Sequence, residues 1–309
     1  MSDSPARTLV VGEALIDVVH HPAGAVEEHV GGSPLNVAIG LARLGHPVRL
    51  AAYLADDRYG ELIQQQLADA DVDLVPGSLS ASHTPSAKAT LDETGAATYE
   101  FDLTWDLPYE LPTDTSHFHS GSIAAALQPG ASVVAEAMLA SREHATVSFD
   151  PNPRPTLIGA AHEVRAQLEQ LVGYSDVVKA SDEDIHWLYG DDADLRQVLA
   201  LWGQLGPSMV LATRGGDGAL VHVTATGETE TVAGEKVSVV DTVGAGDSFE
   251  SGLLSGLLDA GLLGGTDARA RLRAATLPDL LPAVQRAIQA SAITVSRAGA
   301  NPPTRAELS

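Results

Sequence analysis

The sequence predicts an α/β fold: a central, mostly parallel sheet with helices on both faces. Two observations carry this. Short apolar or β-branched runs alternate along the chain with longer runs of helical period. Polar residues with chemistry on them follow those strand-like runs, where an open parallel sheet opens its ligand crevice. With 309 residues, 44% of them apolar, the chain can also bury a sizeable core.

Thr8 to Val19 reads as one buried strand running outward to a polar end at Asp17, either a solvated turn residue or a ligand contact. His20 and His21 occupy adjacent strand positions, which face opposite ways, and read as a surface pair rather than metal ligands. Gly31-Gly32 then opens a helix from Pro34 to Leu44, with Asn36 in its first turn. Paired glycines before a helix suggest backbone close to a ligand. Pro47 to Leu54 reads as a strand and Arg58 to Ala70 as a helix. Between residues 84 and 103, two β-like runs flank Asp92-Glu-Thr-Gly95, a hairpin signal.

Strand-like runs follow at Ser116–His119, Ala145–Phe149, Asp176–Lys179 and Ser208–Ala212, with helical runs at about 128–141, 156–172, 182–189 and 194–205. Asn152 and Arg154 come after Phe149, Lys179 after Val178, and Thr213 to Gly218 after Ala212, each at a strand's carboxyl end. Thr224 to Thr231 turns around Gly227, and a final helical region covers about 267–297.

The centre of the chain's chemistry is Asp241-Thr-Val-Gly-Ala-Gly-Asp247-Ser-Phe. A β-branched run, Val237 to Val240, leads in as a strand, and a helical run, Phe249 to Leu258, leads out. Strand, glycine-rich turn and helix point backbone N–H groups at an anion. Gly244 and Gly246 allow close approach, and Asp247 sits in the helix's first turn, as a cap or as a catalytic group.

Composition narrows the partners. A formal charge of −23 argues against nucleic acid and anionic membranes. With no cysteine, thiolate nucleophiles, disulfides and Cys-ligated metals are out. The N-terminus lacks a signal-peptide layout and no apolar run is long enough to span a bilayer, so a cytoplasmic protein is expected. There is no GxxxxGK[ST] and no GxGxxG opening the first helix, which speaks against P-loop NTPases and dinucleotide dehydrogenases.

The nonapeptide resembles the C-terminal signature of the ribokinase-like (PfkB) sugar kinases. Gly31-Gly-Ser-Pro-Leu-Asn36 through Gly45 resembles that family's first signature. Further pieces occur in family order: Gly12-Glu-Ala-Leu-Ile-Asp17, Asp150-Pro-Asn152-Pro-Arg154, Lys179-Ala-Ser-Asp-Glu-Asp184, Thr213-Arg-Gly-Gly-Asp-Gly218 and Val295-Ser-Arg-Ala-Gly-Ala300. Together they cover nearly the whole chain, and GEALID and DPNPR are most similar to the fructokinase-like branch. The resemblance implies one ribokinase-like domain over residues 1–309. Lid strands at about 18–30 and 84–105 would close over the sugar, and a homodimer could clasp through them.

It also implies roles. Asp247 would be the base and Gly244, Ala245 and Gly246 the anion hole, with Arg154 meeting phosphate. Asp17, Gly31, Gly32, Asn36, Phe101 and Asn152 would bind the sugar. Lys179, Thr213, Gly215, Gly216, Gly218, Ser291 and Thr294 would lie along ATP. Ser181 and Asp184 stand where many members carry Asn and Glu, so Asp184 would organise Mg²⁺ through water. Main-chain groups of Asp241, Val243, Thr294, Arg297 and Gly299 would hold K⁺, although Pro303 replaces an expected polar residue. Tyr99, Phe101 and Trp105 would be lid aromatics.

One departure bears on the substrate. No Lys or Arg occurs between Lys88 and Arg142, where a sugar acid would want an Arg fork. A neutral sugar is expected, held by acceptors such as Asp17, with Asp102 or Asp106 as further candidates. A nucleoside or vitamin kinase of the same fold and a non-catalytic sugar-binding regulator stay open from sequence.

Overall fold

A computed structural model describes residues 7–22, 24–91 and 97–308. In chain order, β1 (Thr8–Val11), β2 (Leu15–His20) and β3 (Val26–Gly31) lead into α1 (Ser33–Arg43). Then come β4 (Val48–Ala51), α2 (Arg58–Asp69), β5 (Val72–Leu74), β6 (Ser86–Leu91), β7 (Ala97–Asp102) and β8 (His117–Gly121). The middle of the chain gives α3 (Gly130–Ser141), β9 (Thr146–Asp150), α4 (Pro155–Ile158), α5 (Ala161–Gly173), β10 (Val177–Ser181), α6 (Asp182–Tyr189) and α7 (Leu195–Leu205). The last part gives β11 (Met209–Thr213), β12 (Ala219–Val223), β13 (Glu228–Val232), α8 (Ala245–Asp259), α9 (Thr266–Ala274) and α10 (Leu277–Val295).

A nine-stranded sheet has the order β13-β12-β11-β10-β9-β8-β1-β4-β5, and β3-β2-β6-β7 form a separate four-stranded sheet. From β11 to β5 neighbouring strands are parallel; β12 and β13 add an antiparallel edge. Strands buried on both faces need apolar residues at every position. In β1, Leu9 and Val11 pack into one core with Phe118, Phe149 and Val178, while Val10 packs into the other with Leu50 and Leu211. The second core also takes in α1, α8 and α10, and the first α3, α5 and α7. The α/β expectation, with helices on both faces and a small β-sheet beside the large one, is what the chain builds.

Four local expectations need correction. Thr8 to Val19 is two strands in different sheets. A side chain at Gly12 would stand 2.2 Å from Pro34 Cγ, so α1 packs directly on this point. The chain leaves the main sheet here and starts the small one. Asp17 is therefore carried by the small sheet, paired in register with His29 on β3 and Ala87 on β6. The helix read at 156–172 is broken at Gly159, whose φ is 86°. The region read at 267–297 splits before Thr276, which starts α10 with a box to Asp279.

The run Val237 to Val240 is irregular rather than a strand. Val239 and Val240 are 63% and 65% exposed. Val240 N donates to Val295 O, but among the described residues no strand pairs with this run, and β-branching without a ladder makes no strand. The hairpin tip at residues 92–95 and the side chain of Tyr99 lie outside what is described.

Candidate active site

A cleft of about 1390 Å³ lies between the small sheet and the carboxyl ends of the main sheet. At its floor the chain enters α8 through Gly244, which holds φ 73°. A side chain there would also meet Ala300 Cβ at 2.6 Å. The left-handed turn needs glycine, and it leaves the first amides of α8 facing the cleft with no partner inside the helix.

Asp247 sits in that first turn, 9% exposed. Ser33 Oγ donates to its Oδ1 at 2.6 Å and Asn36 Nδ2 to its Oδ2 at 2.8 Å. The start of α1 thus fixes the carboxylate of α8. The chain of hydrogen bonds continues outward. Asn152 Nδ2 donates to Ser33 Oγ at 3.0 Å, and Arg154 Nη1 donates to Asn152 Oδ1 at 2.5 Å. Asn152 itself has φ 33°, a strained value for a residue with a side chain. In that conformation its amide points toward Ser33.

At the other end of the cleft, Asp17 faces Gly31, where a side chain would come within 2.4 Å of Asp17 Oδ2. Burial pushes the Asp17 carboxyl up, with His29 and Arg154 pulling the other way. Leu103 and Phe101 also line this end; Phe101 is 39% exposed.

Below the turn lies a buried charge cluster. Lys179 Nζ meets Asp150 Oδ2 at 2.5 Å and donates to Gly246 O at 3.4 Å. Burial works against the Lys179 charge, but the acidic groups around it, Asp150 foremost, hold it protonated and push it up. Burial raises Asp150 to about 6, against the pull of Lys179.

The structure brings most of the expected residues to one place. Asp17, Gly31, Gly32, Asn36, Phe101, Asn152 and Arg154 line the cleft, as do Lys179, Asp184, Thr213, Asp241, Val243, Gly244, Ala245, Gly246, Asp247 and Gly299. Lys179 lies under the anion turn, its ammonium already committed to Asp150 rather than open for a nucleotide. Asp184 closes a box with Ser181, accepting from Ser181 N at 2.9 Å, so that pair caps α6. Asp241 accepts from Val243 N and Gly299 N and so joins the two segments read as a K⁺ site.

Others fall elsewhere. Thr294 is fully buried; its hydroxyl lies 2.7 Å from Ser248 Oγ and 3.0 Å from Ala290 O, within hydrogen-bond distance of both, tying α10 to α8. Ser291 lies on the same helix and is not part of the cleft lining. Arg297 pairs with Glu307. Gly215 and Gly216 form a short turn outside the lining. Gly218 is needed against β13, since a side chain there would meet Val232 O at 2.1 Å. Trp105 is 2% exposed and its Nε1 donates to Ala124 O, so it packs in the core rather than facing sugar or partner. Asp102 pairs with His83, and Asp106 accepts from Leu107 N; neither lines the cleft.

Sequence reasoning passed over three participants. Ser33 stands inside the glycine-led helix start and could have been read from its place beside Asn36. Glu13 lines the cleft, only 6% exposed, and burial pushes it up to about 7, against hydrogen bonds from Ser122 and Ala124 N and the charge of Arg154. Glu250, one turn beyond Asp247, is fully buried. Nothing in the local pattern marks it, because a glutamate on a helix is ordinarily a solvated residue.

The geometry has close relatives. A fructokinase of Rhizobium leguminosarum bv. trifolii is 36% identical over 264 residues, covering 81% of this chain and 79% of its own. An Escherichia coli fructokinase is 35% identical over 269 residues, 83% and 86% of the two chains. Among solved structures, the Xylella fastidiosa fructokinase with bound ATP superposes with a TM-score of 0.83 at 26% identity, covering 98% of this chain and 96% of that one. The pfkB family carbohydrate kinase model matches residues 6–307. The chain thus belongs to the pfkB family of carbohydrate kinases and is an ATP-dependent sugar phosphotransferase.

Proposed function

We propose that the chain transfers the γ-phosphoryl group of ATP to a hydroxyl of a small neutral sugar, with a ketohexose such as fructose as the first candidate. The observation that carries this is the placement of Asp247: its carboxylate stands at the first turn of α8, held by Ser33 and Asn36 where the anion turn meets the sugar end of the cleft. The sugar hydroxyl gives its proton to Asp247 as its oxygen forms the bond to phosphorus. The bond to the β-phosphate oxygen breaks, and ADP leaves. The amides of Gly244 to Asp247 stabilise charge on the transferring group. Arg154, anchored through Asn152, is placed to meet phosphate.

The sugar end favours a neutral polyol. Among the described residues lining the cleft, the Lys and Arg side chains are Lys179 and Arg154. Lys179 is spent on Asp150, and Asp17 is an acceptor of hydroxyl protons. Among the described residues of the cleft a sugar carboxylate would find no second Lys or Arg. Relatives support the choice: a Vibrio cholerae fructokinase solved with fructose, ADP and potassium has a TM-score of 0.76 at 28% identity, covering 97% of this chain and 95% of that one. In this scheme Gly31, Gly32, Asn36, Asn152 and Phe101 shape the sugar site, while Thr213 and the turn at Gly215 and Gly216 flank ATP.

Magnesium would be reached through water from Asp184 and would neutralise the phosphates. Potassium would lie on carbonyls near Asp241, Val243 and Gly299, which the Asp241 carboxylate already draws together, and would steady the anion turn. The chain would act as one domain with its lid inserted, in the cytoplasm where ATP is supplied. A second copy would dock on the lid, where Val26 is 50% exposed; light scattering with and without a Val26→Glu change would test that pairing.

The test of function is ADP release with Mg-ATP and K⁺ across neutral sugars, sugar acids and nucleosides. Turnover confined to one neutral sugar is expected. Turnover on a nucleoside alone would move the substrate to the class of the Salmonella enterica aminoimidazole riboside kinase, whose complex has a TM-score of 0.75 at 26% identity and covers 95% of each chain.

A further inference from the structure

We propose that Glu250 is a positioning residue that holds a proton beneath the anion turn, and that its ionisation, rather than any change at Asp247, closes the alkaline side of ATP binding and turnover. The proposal rests on the phosphotransfer at Asp247 set out above. Glu250 is 0% exposed, and neither carboxylate oxygen has a hydrogen-bond partner among the described residues. A buried carboxylate with no donors is costly, while its neutral form is not. The groups that face it are Asp247 from α8, Asp150 from β9, Lys179 from β10 and His119 from β8. The one firm cation, Lys179, is already paired with Asp150 at 2.5 Å. His119 Nδ1 stands 3.5 Å from Glu250 Oε1, but that nitrogen meets Ser148 Oγ at 2.9 Å, and burial keeps the ring neutral.

Charge counting explains why a proton is held here. With Asp150 and Lys179 cancelling, a neutral Glu250 leaves Asp247 as the sole net charge of the cluster. A second anion would sit below Gly246, whose carbonyl takes the Lys179 hydrogen bond and whose turn must receive the phosphates of ATP. Burial raises the Glu250 carboxyl to about 8, Lys179 notwithstanding, with Asp150 and Asp247 adding to the rise.

The experiment is ATP binding by calorimetry, without sugar, together with kcat/KM for ATP, both from neutral to alkaline pH. In the wild-type enzyme both should fall through a midpoint near 8. The drop in affinity should be about tenfold or more, as for one added charge at an effective dielectric of ~20. Glu250→Gln should move the midpoint up by ~1 pH unit or more. Glu250→Met, apolar and of similar volume, carries the same expectation should the amide fail to fold for want of partners. A purely structural Glu250 would change stability without moving the midpoint. A wild-type enzyme with no alkaline limb, or variants whose limb coincides with it, would overturn the proposal. Because binding is read without sugar, silence across a sugar panel would count against the proposed substrate and leave this test in force.

Discussion

Replacing Asp247 by Asn tests the reaction most directly. The carboxylate accepts from Ser33 Oγ at 2.6 Å and from Asn36 Nδ2 at 2.8 Å. An asparagine keeps its carbonyl toward Asn36 and turns its amide toward Ser33 Oγ, which also accepts from Asn152. Only the Ser33 hydroxyl loses its acceptor. The folding cost is then about 1 kcal/mol or less, a thermal midpoint lower by a few degrees at most. Removal of a general base costs roughly 10²–10⁴-fold in kcat, or ~2.7–5.4 kcal/mol of barrier. ATP affinity should hold or rise, because a negative charge has left the anion turn. Coupled ADP release at saturating substrates measures the first quantity, calorimetry the second and a melting scan the third. A variant that folds normally and turns over within about tenfold of wild type would refute Asp247 as the base.

Further expectations follow from the same geometry. Gly31→Ala places a methyl group 2.4 Å from Asp17 Oδ2 and forces that side chain aside; KM for the sugar should rise by about tenfold while the melting point stays put, and an unchanged KM would remove Asp17 from the sugar site. Lys179→Met leaves Asp150 buried beside Glu250 with no cation, so urea denaturation should show a loss of ~3–5 kcal/mol; a loss under ~1 kcal/mol would mean Asp150 is neutral in the folded state. Burial depresses His46 to about 4 and His117 to about 3, from an ordinary 6.5. The unfolded chain therefore takes up protons first, and stability is lost as pH falls from 6.5 toward 4. Each histidine contributes up to ~1.4 kcal/mol per pH unit. A urea midpoint that stays flat between neutral pH and pH 5 would contradict that burial.

Much of this was legible in the sequence, and the rest was not for physical reasons. Strand and helix order came through because buried parallel strands show as apolar runs and amphipathic helices keep their period. The anion turn was legible because glycine at Gly244 answers a backbone demand that no other residue meets. Asn36 and Asn152 were legible by motif, but Ser33, the hydroxyl that links Asn152 to Asp247, has the ordinary look of a residue at a helix start. Val237 to Val240 misled because β-branching speaks only of local preference, whereas a strand needs a partner. Thr8 to Val19 misled because the break at Gly12 is imposed by Pro34, a contact that period and composition do not carry. At Thr294 and Gly218 the motif was legible but the packing was not: Thr294 ties α10 to α8 and Gly218 leaves room for β13, contacts that an isolated motif does not disclose.

The two hydrogen bonds that hold Asp247 span 214 and 211 residues of chain. A ribosome must therefore finish α8 and let it dock on α1 before any base is in position. An unfinished chain can already have β1, its lid strands and its first helix, yet it cannot spend ATP. The same separation makes the enzyme a natural candidate for fragment complementation. Cut between α1 and α8, neither piece holds both the carboxylate and its donors, and recovered turnover would report reassembly of the two halves.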